Sequence, residues 1–307
     1  MVFTRILRRV FLTFIIILGV TIIAFVLVRL TPGDPARQML PATATEEQVL
    51  AMRQRMGLDK PLFIQYGMYI SNILRGDLGY SFKYKMNVSE LIFPRLWKTA
   101  QITVLGVLLA LIVSIPLGMV AGIKRGSMLD TAAMGFALFG QAMSPVWFCL
   151  FMILIFSVWL GWLPTEGTGS TAHLVMPSIC VGFAFCSLIT RMLRSGMINV
   201  LGEDYITATR ARGISNFQIY TRYALKNALL PIITVSGIQI GILLSGSMVI
   251  EQIFSWPGLG QLTVVAISSR DFQLIQSILL IVALIMVVCN LIVDVLYTFV
   301  DKRISFN

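Results

Sequence analysis

GEDYITATRARGISNFQIYTRYALKNALLP, residues Gly202–Pro231, is polar and basic yet lies between two long apolar runs. In so apolar a chain it reads as an aqueous interruption in a membrane protein. Its charges are ordered as a helix favours them. Glu203 and Asp204 stand at the start, where the macrodipole stabilises anions, and Arg210 and Arg212 at the end, where it stabilises cations. Gly213 suits the left-handed stop that follows a helix, and Ser215 can cap a second one. In that second helix Phe217, Tyr220 and Ala224 recur at helical spacing, while Gln218, Arg222 and Lys226 share another face. The expectation is a compact basic knob of two short helices. Physically it is either a loop resting on anionic lipid head groups or a docking element for a soluble partner.

Working outward, the 307 residues are 57% hydrophobic and only 12% charged, with mean hydropathy +0.86. No soluble domain has that balance, so an all-α integral membrane protein is expected. The formal net charge of +10 fits the positive-inside rule better than nucleic-acid binding. Cys149, Cys180, Cys186 and Cys289 all fall inside apolar runs without CxxC spacing and read as small buried hydrophobes. His173 is the only histidine, so no multi-histidine metal site is expected, and it reads as a loop residue.

Six uncharged runs are each long enough to hold a membrane-spanning helix: Val10–Val28, Thr99–Ile123, Thr131–Thr165, Leu174–Thr190, Asn227–Ile250 and Phe272–Val293. Arg5, Arg8 and Arg9 precede the first and hold its start in the cytoplasm; no small-x-small site follows it, so it reads as an uncleaved helix. The third run exceeds the ~20 residues a span needs. Either it kinks near Pro145 or its Leu160–Thr165 end, with Trp159 and Trp162, lies in the interface. Lys124, Arg125, Arg191, Arg194, Lys302 and Arg303 flank the ends that an inside N-terminus puts inside, so both termini are expected in the cytoplasm, with Gly202–Pro231 on the same side.

The stretch between the first two runs carries ten Lys or Arg from Arg29 to Lys98. Segments longer than about 60 residues translocate largely regardless of charge, so this one is expected outside. Within it Thr45 can cap a helix running to Met56, with Glu46 and Glu47 in its first turn, and Leu62–Leu74 forms another helix. The domain reading is an N-terminal span over 1–30, an extracytoplasmic segment over 31–98, a five-helix core over 99–301 that includes the 202–231 loop, and a tail over 302–307.

The six runs hold no Asp, Glu, Lys, Arg or His. That weakens an ion-coupled transporter or channel, which usually carries an intramembrane ionisable group, without removing sodium coordination by carbonyls and hydroxyls. No catalytic residue is expected, and no GxxxxGK[ST] loop occurs to bind ATP. Energy must then enter through another subunit, and the knob is the evident port. On the fifth run Gly237 and Gly241 have GxxxG spacing with Ser245 beyond, a smooth face that either packs closely against a helix or leaves room for a pathway. Ser236, Gln239 and Ser245 there, with Gln141 and Ser144 on the third run, are the candidate pathway residues. Gly118 and Gly122 beside Pro116 read as packing and bending only. Glu251, the charge nearest the outer end of the fifth run, is a candidate outer-gate residue that caps or pairs there, or else a plain interfacial carboxylate. Six spans leave few inward faces, so a second copy or related subunit is expected to complete the route.

Tyr205-Ile206-Thr207-Ala208-Thr209-Arg210-Ala211-Arg212-Gly213, followed by Leu225-Lys226-Asn227-Ala228-Leu229-Leu230-Pro231, resembles the cytoplasmic loop of permease subunits of binding-protein-dependent ABC importers, in the dipeptide, oligopeptide and nickel branch. The likeness covers nearly the whole chain. It includes Arg29-Leu30-Thr31-Pro32-Gly33-Asp34-Pro35, Gly57-Leu58-Asp59-Lys60-Pro61-Leu62, Gly76-Asp77-Leu78-Gly79-Tyr80-Ser81, Gly246-Ser247-Met248-Val249-Ile250-Glu251, Trp256-Pro257-Gly258-Leu259-Gly260, Arg270-Asp271-Phe272 and Asn290-Leu291-Ile292-Val293-Asp294. Thr207-Ala208-Thr209 stands where the wider superfamily has Glu-Ala-Ala, and Lys226 where many members have proline.

The resemblance implies the type I ABC importer permease fold with six transmembrane helices, in the bacterial cytoplasmic membrane. It makes Thr207, Ala208, Thr209, Arg210, Ala211, Arg212, Gly213 and Ser215 a coupling loop for one or two ABC ATPase subunits, which would bind the ATP and Mg; no cofactor is expected in this chain. It further implies a second, homologous permease and an extracytoplasmic solute-binding protein, with short peptides as cargo and nickel, a nickel chelate or glutathione as alternatives.

Overall fold

The computed structural model describes residues 15–26, 34–38, 40–41 and 43–300, with backbone only at 35, 38 and 294–300. The basic flank at Arg5, Arg8 and Arg9, the turn from Arg29 to Gly33 and the tail with Lys302 and Arg303 lie outside the described residues. Two compact units are distinguished, Met1–Leu96 with Leu262–Leu284, and Trp97–Gln261 with Ile285–Asn307.

In the first unit α1 (Ile15–Val26) is the described part of the first apolar run. After the short α2 (Pro35–Gln38), α3 (Glu46–Arg55) starts with a full capping box: the Thr45 hydroxyl accepts from the Gln48 N–H, and the Gln48 side chain accepts from the Thr45 N–H. α4 (Leu62–Leu74) has the expected bounds and buries none of its residues. Tyr66 on α4 sets its ring edge-to-face against Phe25 of α1 at 5.3 Å, and its hydroxyl shares a hydrogen bond with the Thr21 hydroxyl. A hairpin of β1 (Tyr80–Ser81) and β2 (Met86–Asn87) follows. It is tied to the buried Asp271, which accepts from the Ser81 hydroxyl at 2.5 Å, and to Gln273, whose side-chain oxygen accepts from the Tyr80 N–H at 2.9 Å.

In the second unit the elements are α5 (Val88–Ile123, which begins in the first unit), α6 (Met128–Ala142), α7 (Pro145–Met152) continuing as a π-helical stretch Ile153–Trp159, and α8 (Ala172–Leu201). The helices α9 (Asp204–Ala211), α10 (Asn216–Gln218), a second π-helical stretch Ile219–Ala224, α11 (Leu225–Ala228), α12 (Leu230–Leu244) and α13 (Met248–Ile253) follow. α14 (Leu259–Ser268) and α15 (Phe272–Val300) pass between the two units along the chain.

α8 is the axis of this second unit, with thirteen buried residues along its length. Small residues let its neighbours approach: a Cβ on Gly118 or Gly122 of α5 would press into Leu193 or Met197 of α8, so those two glycines are packing residues as expected. The tightest crossing, Gly106 of α5 against Gly182 of α8, brings backbone against backbone.

Three apolar helices are long enough to span hydrocarbon, and two bent pairs would bring the number among the described residues to five. The bends are sharper than periodicity suggests. Met128–Ala142 and Pro145–Trp159 meet at 107°, a break rather than a kink, because Ser144 before Pro145 is held extended at φ −62°, ψ 135°. The fifth run also divides: Asn216–Ala228 and Leu230–Leu244 meet at 51° beside Pro231, and α12 ends at Leu244, short of α13. Conversely α5 begins eleven residues before the uncharged run, at Val88 rather than Thr99, and α8 continues past Arg191 and Arg194 to Leu201.

Candidate functional site

The knob grows directly out of α8. Glu203 is the N-cap of α9, Asp204 lies in its first turn and Arg210 in its last, so the charge order read from the sequence meets the dipole as expected. α9 ends at Gly213, whose φ of +77° is left-handed; a Cβ there would meet open space, so backbone conformation alone calls for glycine. Ser215 then caps α10, its hydroxyl accepting from the Gln218 N–H.

The second helix of the knob differs from the expected one. A π-helical stretch over Ile219–Ala224 shifts its inward face, so Ile219, Ala224 and Ala228 are buried, while Phe217 is 74% exposed. Asn227 donates to the Tyr205 hydroxyl at 2.6 Å and closes this helix onto α9. α9 buries Ile206 and Thr209 and leaves Thr207, Ala208, Arg210, Ala211 and Arg212 exposed with Gly213 and Ser215 beyond. The knob is thus a small folded unit with a polar, basic outer face, from which the Phe217 ring protrudes furthest among its aromatic side chains.

Asp130 at the head of α6 forms a bidentate pair with Arg194 of α8, Nε to Oδ1 at 2.5 Å and Nη2 to Oδ2 at 2.8 Å, and also accepts from the Gly126 N–H. Asp130 lies outside the uncharged run that starts at Thr131. Hydrogen bonding from Arg194, then from Gly126, holds its carboxyl down at about 2 against the opposing effect of burial. Neither residue was singled out as a site; the only signal was a lone acid next to a basic cluster.

On α12 the two glycines are packing residues. A side chain at Gly237 would overlap Val293 of α15, and one at Gly241 would press on Met286. Ser245 bonds to the Gly241 carbonyl of its own helix at 2.8 Å, Ser236 and Gln239 are half-buried, and Gln141 and Ser144 are exposed. The five candidate pathway residues therefore do not converge on a single contact.

Glu251 is 0% exposed. One carboxylate oxygen accepts from the Thr99 hydroxyl at 2.8 Å and the other from the Gln261 N–H at 2.9 Å, while Thr99 Oγ1 accepts from the Leu259 N–H at 2.8 Å. Two residues from elsewhere thus satisfy first-turn donors of α14, a remote cap built on a buried carboxyl group. A Cβ on Gly258 would collide with the carboxyl group of Glu251, and one on Gly260 would collide with the backbone of Met248. Trp256 closes the site, its indole N–H donating to the Lys98 carbonyl at 3.0 Å with the Lys98 ammonium 5.4 Å from the ring centre. The place of Glu251 in the structure is that of a fully buried cap on α14. Thr99, which completes the site, gave no signal in the sequence.

All four cysteines are free, and no cluster of His, Cys, Asp or Glu suited to a metal occurs among the described residues. His173, expected in a loop, stands in the first turn of α8, its Nδ1 accepting from the Ser170 N–H.

Residues 114–306 match the family described as binding-protein-dependent transport system inner membrane component, and residues 2–103 match the N-terminal region of such membrane components. The chain is 37% identical to the dipeptide transport system permease protein DppB of Alkalihalophilus pseudofirmus, over 97% of this chain and 98% of that one. It is equally 37% identical to the glutathione transport system permease protein GsiC of Salmonella typhimurium, over 95% of each. Among solved structures, a chain of the inward-facing MetNI methionine ABC transporter superposes with TM-score 0.58 at 19% identity, covering 69% of this chain and 97% of that one. At that identity the likeness is one of fold.

Proposed function

The chain belongs to the family of binding-protein-dependent transport system inner membrane components, and on that premise we propose that it is a permease subunit of an ABC importer that takes up short peptides by alternating access. It lies in the cytoplasmic membrane with both termini inside, pairs with a second, homologous permease, and receives its solute from an extracytoplasmic binding protein. ATP and Mg are bound by ATPase subunits, and no chemistry is done on the solute. The relatives' names support peptide cargo: the DppB relative is a dipeptide permease and the GsiC relatives are glutathione permeases. Glutathione, itself an anionic tripeptide, is the second reading; nickel or a nickel chelate is a third, within the same branch.

The observation that carries the reading is the knob. A glycine-stopped helix with Thr207, Ala208 and Ala211 exposed and Ile206 anchored inward offers a rigid face for an ATPase groove. The Tyr205–Asn227 bond makes both helices one body, so a push on α9 reaches α11 and, through the bend at Pro231, α12. The exposed Phe217 ring is suited to desolvation on docking. An ion-coupled transporter or channel has no need of such an element.

The test is a binding panel on the associated solute-binding protein, with dipeptides, glutathione and nickel in parallel, followed by uptake in proteoliposomes holding the assembled transporter. Saturable peptide binding with ATP-dependent uptake is expected. Binding of nickel alone would refute the peptide reading.

A further inference from the structure

The first unit holds an open cavity of about 560 Å³ between α1, α3, α4 and the start of α15. This is the size of a small-ligand site. Its walls are mixed: apolar side chains that include Phe25, Leu62, Met68 and Phe272 make about half of the lining, and charged and amide side chains make most of the other half. Four of the polar groups decide what could fill it.

Gln276 is only 8% exposed, and its Nε2 has no hydrogen-bond partner in the protein. An amide donor left unmet in a buried site costs about 1–3 kcal/mol, which an acceptor on a ligand would relieve. Arg53 is paired with Asp34 at 3.0 Å. Arg55, in the last turn of α3, has no ion-pair or hydrogen-bond partner among the described residues. Arg53, Asp34 and Arg55 together leave the cavity with one net positive charge.

We propose that this cavity binds a short peptide with a free C-terminal carboxylate: Arg55 takes the carboxylate, the Gln276 amide donates to a peptide carbonyl, and the apolar wall of Met68 and Phe272 takes a side chain. An acyl chain would leave the Gln276 donor unmet, which favours a peptide over a lipid. The site is separate from the knob and from the Glu251 cap, and its ligand class rests on the peptide reading given above.

The experiment is equilibrium binding of a radiolabelled dipeptide and of glutathione to the intact transporter in nanodiscs, without the solute-binding protein. Wild type binds saturably. Arg55→Gln weakens binding about tenfold, C-terminal amidation of the peptide weakens it by a similar factor, and the two losses do not add. Gln276→Met also weakens binding. Should that buried substitution block assembly, Arg55→Gln, which is exposed, and the amidated peptide still decide the matter. No saturable binding to wild type, or binding indifferent to both Arg55→Gln and amidation, overturns the proposal. So does a co-purifying anionic phospholipid whose amount falls in Arg55→Gln while peptide never binds. Uptake measured in parallel with the binding protein present separates the two ideas: peptide uptake without peptide in the cavity refutes only the cavity, whereas no peptide uptake refutes the peptide-importer reading.

Discussion

Arg194 on α8 holds Asp130 on α6 through two hydrogen bonds, at 2.5 and 2.8 Å, ten residues before α9 begins at Asp204. The pair ties the helix that leads into the knob to its neighbour. The Asp130 carboxyl is held at about 2, below its ordinary value. Its contribution is therefore complete above the unfolded value near 3.8 and is lost only as pH falls through about 2. Between pH 5 and 8 the pair adds no pH dependence to thermal stability. Asp130→Asn removes the charge-assisted bonds and lowers stability by roughly 2 kcal/mol, seen as a lower Tm in detergent. A Tm equal to wild type would show that the pair holds nothing together.

Gly213 tests the knob through backbone conformation alone. Its Cβ position is open, so Gly213→Val is penalised only by its φ of +77°, at about 1–2 kcal/mol or more for a β-branched residue. Gly213→Asn, which tolerates the left-handed region, retains most uptake. The valine variant inserts normally but loses stimulated ATPase activity. Equal uptake by the two variants would count against a rigid coupling element.

The Glu251 cap predicts a non-additive pair. Glu251→Ala strands the Gln261 N–H and the Thr99 hydroxyl, costing about 1–3 kcal/mol for each buried group left unmet. Gly258→Ala drives a methyl into the carboxylate and also destabilises. The double variant is better tolerated than the sum, since the methyl then occupies the space the carboxylate has left. A thermal-shift series on the assembled transporter reads this out. Strict additivity, or unaltered basal ATPase in Glu251→Ala, would refute the cap.

On α12 packing and lining separate by residue. Gly237→Leu overlaps Val293 and prevents stable assembly. Gln239→Leu and Ser236→Ala leave assembly intact and change peptide uptake severalfold. If neither alters uptake, α12 does not line the route.

What could be read from the sequence was local. The Thr45 capping box, the Leu62–Leu74 helix, the dipole-ordered α9 and its Gly213 stop depend on residues within a few positions of one another, so spacing reveals them. The break at Ser144 is legible as the Pro145 signal but not in its angle, because a proline says where a helix yields and its neighbours decide how far; the break beside Pro231 interrupts a run expected to be one span. The π-helical stretch at Ile219–Ala224 turned Phe217 outward, against its helical spacing with Tyr220 and Ala224. Thr99 with Glu251, and Asp130 with Arg194, meet only through tertiary packing, and no periodicity encodes such a meeting. The glycines of Trp256-Pro257-Gly258-Leu259-Gly260 are recognisable by resemblance; their reasons, the Glu251 carboxyl group against Gly258 and the Met248 backbone against Gly260, require the fold.

The most direct test of the account is peptide accumulation in proteoliposomes holding the two permeases, prepared with and without their ATPase subunits and supplied with loaded binding protein. Accumulation that requires both the ATPase subunits and ATP, and that Gly213→Val abolishes, is the expected result. Accumulation by the permeases alone, driven by an ion gradient, would contradict it.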